Sequence, residues 1–264
     1  MDLDLKNKTA FISGSTAGIG YAIAESLLRE GASVIINGRT QESVDKAVTD
    51  LQPNSNFATV SGIAADFSNP EEVYQLIANL PDVDILVNNA GIFEPKAFGD
   101  IPDEDWFRFF DVNVMSGVRL SRHVLPKMLA KNWGRIIFIS SESAVFIPNE
   151  MIHYGMTKTA QLSVARGLAE LTKGTGVTVN SILPGPTKSR GVGDFIEDLA
   201  RSGNTSAAQV ETDFFKNLRP TSLLQRFATV EEVANTVTYY ASPLASATNG
   251  ASIRVEGGLI RSIL

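Results

Sequence analysis

The sequence predicts an α/β fold in which one doubly wound parallel sheet of about seven strands carries helices on both faces. Short apolar runs rich in Val and Ile alternate with longer amphipathic segments, the pattern of repeated strand–helix–strand units. The runs are apolar at nearly every position, as expected for parallel strands that are buried on both faces. Right-handed crossovers are expected between successive strands.

The predicted elements follow one another without a linker, a low-complexity segment or an internal repeat. Strands are predicted at residues 9–13, 33–37, 58–64, 84–88, 134–140, 178–183 and 252–256. Helices are predicted at residues 19–30, 41–51, 70–79, 103–131, 154–172 and 230–241. We therefore interpret residues 1–264 as a single domain. An irregular segment at about 188–224, rich in Gly, Ser and Thr, is expected to form a mobile lid over substrate.

Composition excludes several classes of function. The chain has 264 residues, 44% of them hydrophobic, which is enough for a large core. A net charge of −6 with scattered basic residues argues against binding of nucleic acid or an anionic membrane. The sequence lacks a signal peptide and any run near the ~20 apolar residues of a membrane span, so a cytoplasmic protein is expected. Two separated histidines and no cysteine predict no metal site and no disulfide.

Three glycines follow the first predicted strand and open a helix. Gly14, Gly18 and Gly20 have the spacing G-x-x-x-G-x-G. Glycine lets the backbone approach a pyrophosphate, and a helix N-terminus favours its negative charge. A tight structural turn is the competing interpretation of these glycines.

The end of the second predicted strand bears on the choice of cofactor. NAD-selective sites usually place an acid there to bind the ribose 2′-OH. Here Gly38 occupies that place and Arg39 follows, offering a planar guanidinium that suits a phosphate. NADP(H) is therefore the expected cofactor, with NAD(H) as the alternative. If Arg39 only begins the next helix and faces solvent, it contributes no selectivity.

A tyrosine and a lysine four residues apart indicate acid–base chemistry. A phenol with a pKa near ~10 is a poor catalyst at neutral pH unless a cation stabilises its phenolate. Lys158, at i+4 from Tyr154, lies on the same helix face and can supply that charge. Ser141, at the end of the fifth predicted strand, can donate a hydrogen bond to a substrate carbonyl oxygen.

Taken in order, the glycine turn, Asn88-Asn-Ala-Gly91, Ser141 and Tyr154-x-x-x-Lys158 resemble the short-chain dehydrogenase/reductase family, and in particular members similar to 3-oxoacyl reductases. The resemblance covers nearly the whole chain and implies a Rossmann-type sheet and an oxidoreductase. It implies that Tyr154 is the acid or base, and that Asn113 holds a water in a proton relay to the lysine. The catalytic residues that it implies are Asn113, Ser141, Tyr154 and Lys158.

The cofactor contacts that the glycine turn, Arg39 and the resemblance predict come from the ends of successive strands and from the catalytic helix. They are Gly14, Ser15, Thr16, Gly18, Ile19, Gly20, Arg39, Asp66, Phe67, Asn89, Ala90, Gly91, Tyr154, Lys158, Pro184, Gly185, Thr187 and Ser189. Two positions depart from the family pattern: Ser13 replaces the common Thr, and Thr187 replaces an apolar residue.

The expected substrate is a ketone or secondary alcohol held in a mainly apolar pocket. The predicted lining consists of Phe93, Phe146, Ile147, Met151, Phe195 and Phe214, although each could equally belong to the core. Glu142 is expected to be hydrogen-bonded beside the site or to face solvent rather than touch a polar substrate. His153 is expected to pack at the pocket rim, and His123 to lie at the surface.

Three functional hypotheses follow. The leading one is an NADP-dependent carbonyl reductase. The alternatives are an NAD-dependent secondary-alcohol or polyol dehydrogenase and a non-enzymatic dinucleotide-binding sensor. The family resemblance also implies a homo-oligomer, dimer or tetramer, assembled through the helices predicted at 103–131 and 154–172, with residues 254–264 also available for packing against another subunit.

Overall fold

The computed structural model describes residues 2–54 and 58–263. Within these ranges the strands are β1 (Thr9–Ile12), β2 (Ser33–Gly38), β3 (Val60–Ala64), β4 (Ile85–Asn88), β5 (Gly134–Ile139), β6 (Val177–Pro184) and β7 (Ser252–Val255). They form one sheet in the order β3-β2-β1-β4-β5-β6-β7, and every neighbouring pair is parallel. The predicted fold class is confirmed.

Helices cover both faces of this sheet. They are α1 (Gly18–Arg29), α2 (Gln41–Leu51), α3 (Pro70–Asn79), α4 (Asp103–Phe110), α5 (Ser116–Ala130), α6 (Ile152–Glu170), α7 (Arg190–Ser202), α8 (Ala207–Asp213) and α9 (Val230–Ala241). One core cluster joins the sheet to α1, α2 and α9, and a second joins it to α3, α5 and α6. Apolar side chains from alternate strand positions enter the two clusters, which explains why the strands are apolar throughout.

The strand order places a crevice beside β1. After β1 the chain adds β2 and β3 on one side of the sheet, and from β4 onward it adds strands on the other side. The direction in which strands are added therefore reverses between β1 and β4. Ligands of open α/β sheets bind at the carboxyl ends of the strands at such a point. The predicted site residues follow these same strand ends.

The helix N-termini differ in how they are capped. At α2 the Thr40 side chain accepts a hydrogen bond from the Ser43 N–H, and Thr229 and Glu232 form a capping box at α9. At α1 the N-cap residue is Ala17, without a side-chain cap and without an acidic residue in the first turn. The free N–H groups of α1 therefore remain open toward the crevice.

The prediction of one continuous helix over residues 103–131 is wrong in detail. A π-helical turn at Asp111–Met115 separates α4 from α5. Such turns arise where an extra residue is accommodated in the helix, often at functional sites. The apolar periodicity continues on both sides, so the sequence pattern does not reveal the interruption.

The expectation that residues 188–224 are irregular is also wrong. The segment contains α7, α8 and a π-helical turn at Phe214–Leu218. Ile196, Phe215 and Phe227 are buried together in a small core, and the rings of Phe214 and Phe227 stack at 5.0 Å. Phe215 is therefore buried in this small core, while the side chain of Phe195 lies outside the described residues. Glycines and polar residues in this stretch obscured its helical periodicity.

Within residues 2–54 and 58–263, every helix is too short or too polar to cross a membrane.

Candidate active site

The glycine turn between β1 and α1 is closely packed. Gly14 and Gly18 have φ angles of +61° and +60°, a region that favours glycine. A Cβ at Gly20 would lie 2.5 Å from Asn89 Nδ2 and 2.6 Å from the Gly14 carbonyl oxygen. A side chain at this position would therefore push the turn away from β4.

Buried hydroxyl groups hold the turn in place. Ser13 Oγ accepts hydrogen bonds from the N–H groups of Asn89 and Ala90, each at 2.9 Å. Ser15 Oγ donates to the Ile12 carbonyl at 2.7 Å and accepts from the Asn37 N–H at 3.0 Å. The Ser15 side chain thus shapes the loop, which leaves its backbone as the group to face a ligand.

Gly38 and Arg39 lie at the carboxyl end of β2. A Cβ at Gly38 would lie 2.4 Å from Thr16 Cγ2, so an acid at this position would displace Thr16. Arg39 is exposed and has no hydrogen-bond or ion-pair partner within the described ranges. Its guanidinium is free to bind a phosphate at this edge.

The other predicted adenosine contacts divide between surface and core. The Asp66 carboxylate accepts hydrogen bonds from the Ser68 N–H and hydroxyl at 2.9 and 2.8 Å. The Phe67 side chain packs in the core with Val73 and Leu76, so only its backbone is available to a ligand.

The loop after β6 folds over the start of α1. A Cβ at Gly18 would lie 3.4 Å from the Ser189 Cβ, which places these two predicted cofactor contacts side by side. Thr187 Oγ1 donates to the Gly185 carbonyl at 2.9 Å. This internal bond occupies the Thr187 hydroxyl and leaves the backbone of Thr187 available to a ligand. Gly185 itself follows Pro184, the last residue of β6, and its N–H donates to the Val255 carbonyl.

The structure brings Ser141, Tyr154 and Lys158 together beside the carboxyl end of β5. Ser141 lies close enough to Tyr154 for its hydroxyl to lower the pKa of the phenol. Lys158 is buried in α6, with Nζ 5.6 Å from the centre of the Tyr154 ring, and it donates to the Ile139 carbonyl at 2.9 Å. A Cβ at Gly91 would lie 3.5 Å from Lys158 Nζ, so β4 and α6 meet here.

Burial is the largest cause of the pKa shifts of Tyr154 and Lys158. It raises the pKa of the Tyr154 phenol, and the neighbouring Glu142 charge raises it further, whereas the Ser141 hydrogen bond lowers it. Burial lowers the pKa of Lys158 to about 8, and Glu142 opposes that change. At neutral pH the phenol therefore keeps its proton and Lys158 remains mostly cationic.

Asn113 reaches Lys158 through a residue that the sequence did not single out. In the π-helical turn, the Asn113 side chain accepts from the Ile92 N–H at 2.8 Å and donates to Thr157 Oγ1 at 3.0 Å. Gln161 Nε2 donates to the Asn113 carbonyl at 2.5 Å, and Gln161 Oε1 accepts from Lys158 Nζ at 3.4 Å. Gln161 is buried and links the two predicted relay residues directly, where the family resemblance implies a water. Its position at i+3 from Lys158, on the same helix face, was the available signal.

Glu142 and Arg219 form a second polar group that sequence reasoning did not assemble. Glu142 is 6% exposed, and its Oε2 accepts from Ser141 Oγ at 2.5 Å, in agreement with a hydrogen-bonded position and not with solvent exposure. Arg219, directly after the π-helical turn at Phe214–Leu218, lies on the other side of Glu142, with Nε 3.8 Å from Oε1. No local sequence pattern relates the two residues.

The predicted apolar lining is more exposed than a closed pocket requires. Phe93 is 60% exposed and meets the Tyr154 ring edge-on at 6.4 Å. Phe146 and Ile147 are about half exposed, and Met151 and Phe214 are partly buried. These side chains border the entrance, while the buried neighbours of Ser141 are polar.

His153 packs inside the protein. Its ring is fully buried, with centroids 4.1 Å from Phe109 and 6.0 Å from Trp106. Neither ring nitrogen has a hydrogen-bond partner among the described residues. Burial lowers the pKa of His153, so the folded state favours the neutral ring.

The free energy of unfolding is therefore expected to fall as the pH drops below the unfolded-state pKa of His153, near ~6.5, because the unfolded chain then binds more protons than the folded one. His153→Phe should reduce this loss, as measured by urea unfolding between pH 7 and pH 5. Burial and Lys127 also lower the pKa of His123, so His123→Gln, measured in parallel, gives the part of the slope that comes from the other histidine. Equal pH slopes for His153→Phe and the unmodified protein would contradict the assignment.

The described residues do not form a metal site. Within them, no group of three or more His, Cys, Asp or Glu side chains is arranged to hold an ion.

Comparison with known proteins is consistent with this geometry. The family model described as short chain dehydrogenase matches residues 8–200. The chain is 54% identical over 266 residues to "Uncharacterized oxidoreductase YvrD" of Bacillus subtilis (strain 168), with all of both chains covered. It is 35% identical to D-beta-hydroxybutyrate dehydrogenase of Rhizobium meliloti (strain 1021), covering 95% of this chain and 98% of the relative.

Solved structures share the fold over the full length. L-sorbose reductase from Gluconobacter frateurii, complexed with NADPH and L-sorbose, has a TM-score of 0.92 and 29% identity, with all of both chains covered. A putative NAD(P) dependent gluconate 5-dehydrogenase from Beutenbergia cavernae, with bound NADP, has a TM-score of 0.85 and 28% identity, covering 99% and 100% of the two chains. The chain therefore belongs to the short-chain dehydrogenase family and is an NAD(P)-dependent oxidoreductase.

Proposed function

We propose that this protein is an NADP(H)-dependent carbonyl reductase in which Tyr154 transfers the proton. The observation that carries the proposal is the convergence of Tyr154 with a hydrogen-bonded Ser141 and a buried Lys158 at the carboxyl end of β5. Each group has the chemistry that its role requires. The intact set argues against a sensor without turnover.

The residues around the crevice fit a dinucleotide. The uncapped N-terminus of α1 offers free N–H groups to a pyrophosphate, and the glycine turn leaves no room for a Cβ at Gly20. Arg39, exposed and unpartnered within the described ranges, would bind a 2′-phosphate. The NADPH and NADP present in the two structural neighbours described above support the same choice. The bound nicotinamide would supply the hydride.

The protein's own residues would then manage the charge on the substrate oxygen. Ser141 Oγ donates a hydrogen bond to the carbonyl oxygen, and the Tyr154 phenol gives it a proton as the carbon accepts the hydride, which yields the secondary alcohol. The cationic Lys158 stabilises the phenolate that remains. Because burial raises the pKa of Tyr154, the phenol is protonated before each reduction.

Cofactor selectivity tests the role of Arg39. Arg39→Ala is expected to raise the Kd of NADPH by roughly 10- to 100-fold, the loss typical of a charge-assisted hydrogen bond, while the Kd of NADH stays within about threefold. Titration of nucleotide fluorescence measures both constants. Arg29→Ala, at the far end of α1, is the matched control. Equal losses for the two cofactors would mean that Arg39 supports the fold instead.

This single change is cleaner than placing an acid at Gly38, since a side chain there meets Thr16. Turnover is tested separately by following NADPH absorbance with a panel of ketones. Cofactor binding without reduction of any ketone would overturn the reductase proposal and favour a sensor.

A further inference from the structure

A buried carboxylate that the proposed proton transfer does not need lies beside the reacting atoms. Glu142 is almost fully buried, and its Oε2 accepts the hydroxyl hydrogen of Ser141 at 2.5 Å. Burial raises the pKa of Glu142, while Ser141 and Arg219 lower it. Burying an ionisable group costs free energy unless that group is paired, so a carboxyl group here calls for a partner.

Arg219 gives this carboxylate only a loose partner. Arg219 Nε lies 3.8 Å from Glu142 Oε1, which exceeds a normal hydrogen bond. Arg219 Nη2 binds Glu150 Oε1 at 3.2 Å, and Nη1 binds the Leu218 carbonyl at 2.9 Å. Nε is buried without a hydrogen-bond partner among residues 2–54 and 58–263. A donor and an acceptor therefore face each other across a gap next to Ser141.

We propose that Glu142 and Arg219 form a subsite for a substrate hydroxyl on the carbon next to the carbonyl, so that the substrate class is uncharged α-hydroxy ketones. This subsite rests on the carbonyl reduction proposed above. A hydroxyl group both donates and accepts hydrogen bonds, so it can donate to Glu142 and accept from Arg219. Because Arg219 Nε and Glu142 Oε1 are 3.8 Å apart, an oxygen ~2.8 Å from both would lie beside the pair and bridge the two atoms.

The position of the hydroxyl follows from Ser141. A carbonyl oxygen that accepts a hydrogen bond from Ser141 Oγ lies ~2.8 Å from that atom. The Glu142 carboxylate contacts the same hydroxyl group of Ser141. The substituent on the neighbouring carbon is then the part of the substrate within reach of the Glu142 carboxylate. Once Ser141 turns toward the carbonyl, the substrate hydroxyl replaces Ser141 as a hydrogen-bond donor to that carboxylate.

The charges around the gap disfavour other ketones. Glu142 and Glu150 present two carboxyl groups to the single guanidinium of Arg219, which disfavours the carboxylate of a keto acid. An apolar ketone that draws the Ser141 hydroxyl away from Glu142 would leave Glu142 Oε2 and Arg219 Nε without hydrogen bonds and deprived of water. Sites built to bind a substrate hydroxyl reject analogues that lack it by large factors.

The surface next to Glu150 is suited to a hydroxylated substrate. A depression of about 480 Å³ is lined there by Lys96, Asn149 and Glu150, together with Pro95, Ala97 and Phe98. Polar and apolar side chains alternate around it, which suits a chain that carries several hydroxyl groups.

Isosteric substrate pairs test the subsite. With NADPH and the full-length protein, hydroxyacetone is compared with butan-2-one, and 1-hydroxyhexan-2-one with heptan-3-one. Each pair differs by a hydroxyl in place of a methyl next to the carbonyl. The expected result is a kcat/KM about 10²-fold or more in favour of the hydroxy ketone in at least one pair. Acetoacetate, an anionic ketone, is expected to be reduced poorly.

Glu142→Met should abolish this preference, because it keeps the length of the side chain and removes the acceptor. Glu142→Gln, which keeps one acceptor and no charge, should reduce it partially. The readout is the ratio of kcat/KM within a pair, which is unaffected by any loss of folded protein because both ketones meet the same enzyme. Glu104→Gln, at an exposed position of α4, is the control and should leave the ratio unchanged.

The outcomes separate this subsite from the underlying reaction. Equal reduction of both members of a pair, preference for acetoacetate, or a preference that survives in Glu142→Met would overturn the subsite and leave carbonyl reduction standing. Reduction of no ketone by NADPH-bound protein would overturn carbonyl reduction, and the subsite with it.

Discussion

Replacement of Tyr154 by Phe is expected to lower kcat by about 10²-fold or more while the Kd of NADPH stays within about threefold. The change keeps the ring that meets Phe93 edge-on and removes only the hydroxyl that carries the proton. Its effect on packing should be small, so the loss should appear in the chemical step. Steady-state kinetics with an active ketone and a nucleotide titration measure the two quantities.

Tyr74→Phe is the matched control, since Tyr74 lies exposed on α3, and it should change neither constant. A single-turnover experiment adds a sharper readout, because it isolates the hydride and proton steps from release of product. Near-normal turnover of Tyr154→Phe would show that another group supplies the proton, and the mechanism proposed above would be wrong.

Gly20→Ala is expected to produce the other large effect, this time on cofactor binding. The added Cβ would meet Asn89 Nδ2, the Gly14 carbonyl and the Ser15 Cα at 2.5 to 2.9 Å, and two of these contacts are with backbone. Overpacking of this kind costs about 1–3 kcal/mol. The turn is expected to move away from the pyrophosphate, with the Kd of NADPH raised at least about tenfold and the Tm lowered by several degrees.

Gly193→Ala provides the contrasting change. Gly193 lies within α7, and its added Cβ would have no atom within 4 Å. Alanine is preferred to glycine inside helices by roughly 0.5–1 kcal/mol, so stability should rise slightly and NADPH should bind as before. Calorimetry and nucleotide titration of both variants check the pair. Unchanged NADPH binding by Gly20→Ala would remove the glycine turn from the cofactor site.

The sequence by itself determined the parallel sheet and the positions of its strands along the chain. Buried parallel strands must be apolar on both faces, and a helix that packs on a sheet must place apolar residues on one face with a period of 3.6 residues. Both requirements leave a local pattern along the chain. Glycines mark turns for an equally local reason, and Tyr154 and Lys158 share a face because they are one helical turn apart. Strand ends that converge on one edge then indicate which motifs belong to one site.

Only the tertiary structure decided which polar groups meet inside that site. Gln161 joins Asn113 to Lys158, and Arg219 approaches Glu142, through contacts between segments far apart in sequence. Ile196 of α7 and Phe215 are likewise buried against Phe227, a contact that no local pattern reveals. Whether a polar side chain is exposed or buried, and with which partner, is set by the packing of distant elements, and the free-energy cost of leaving it unpaired exists only once those elements have met.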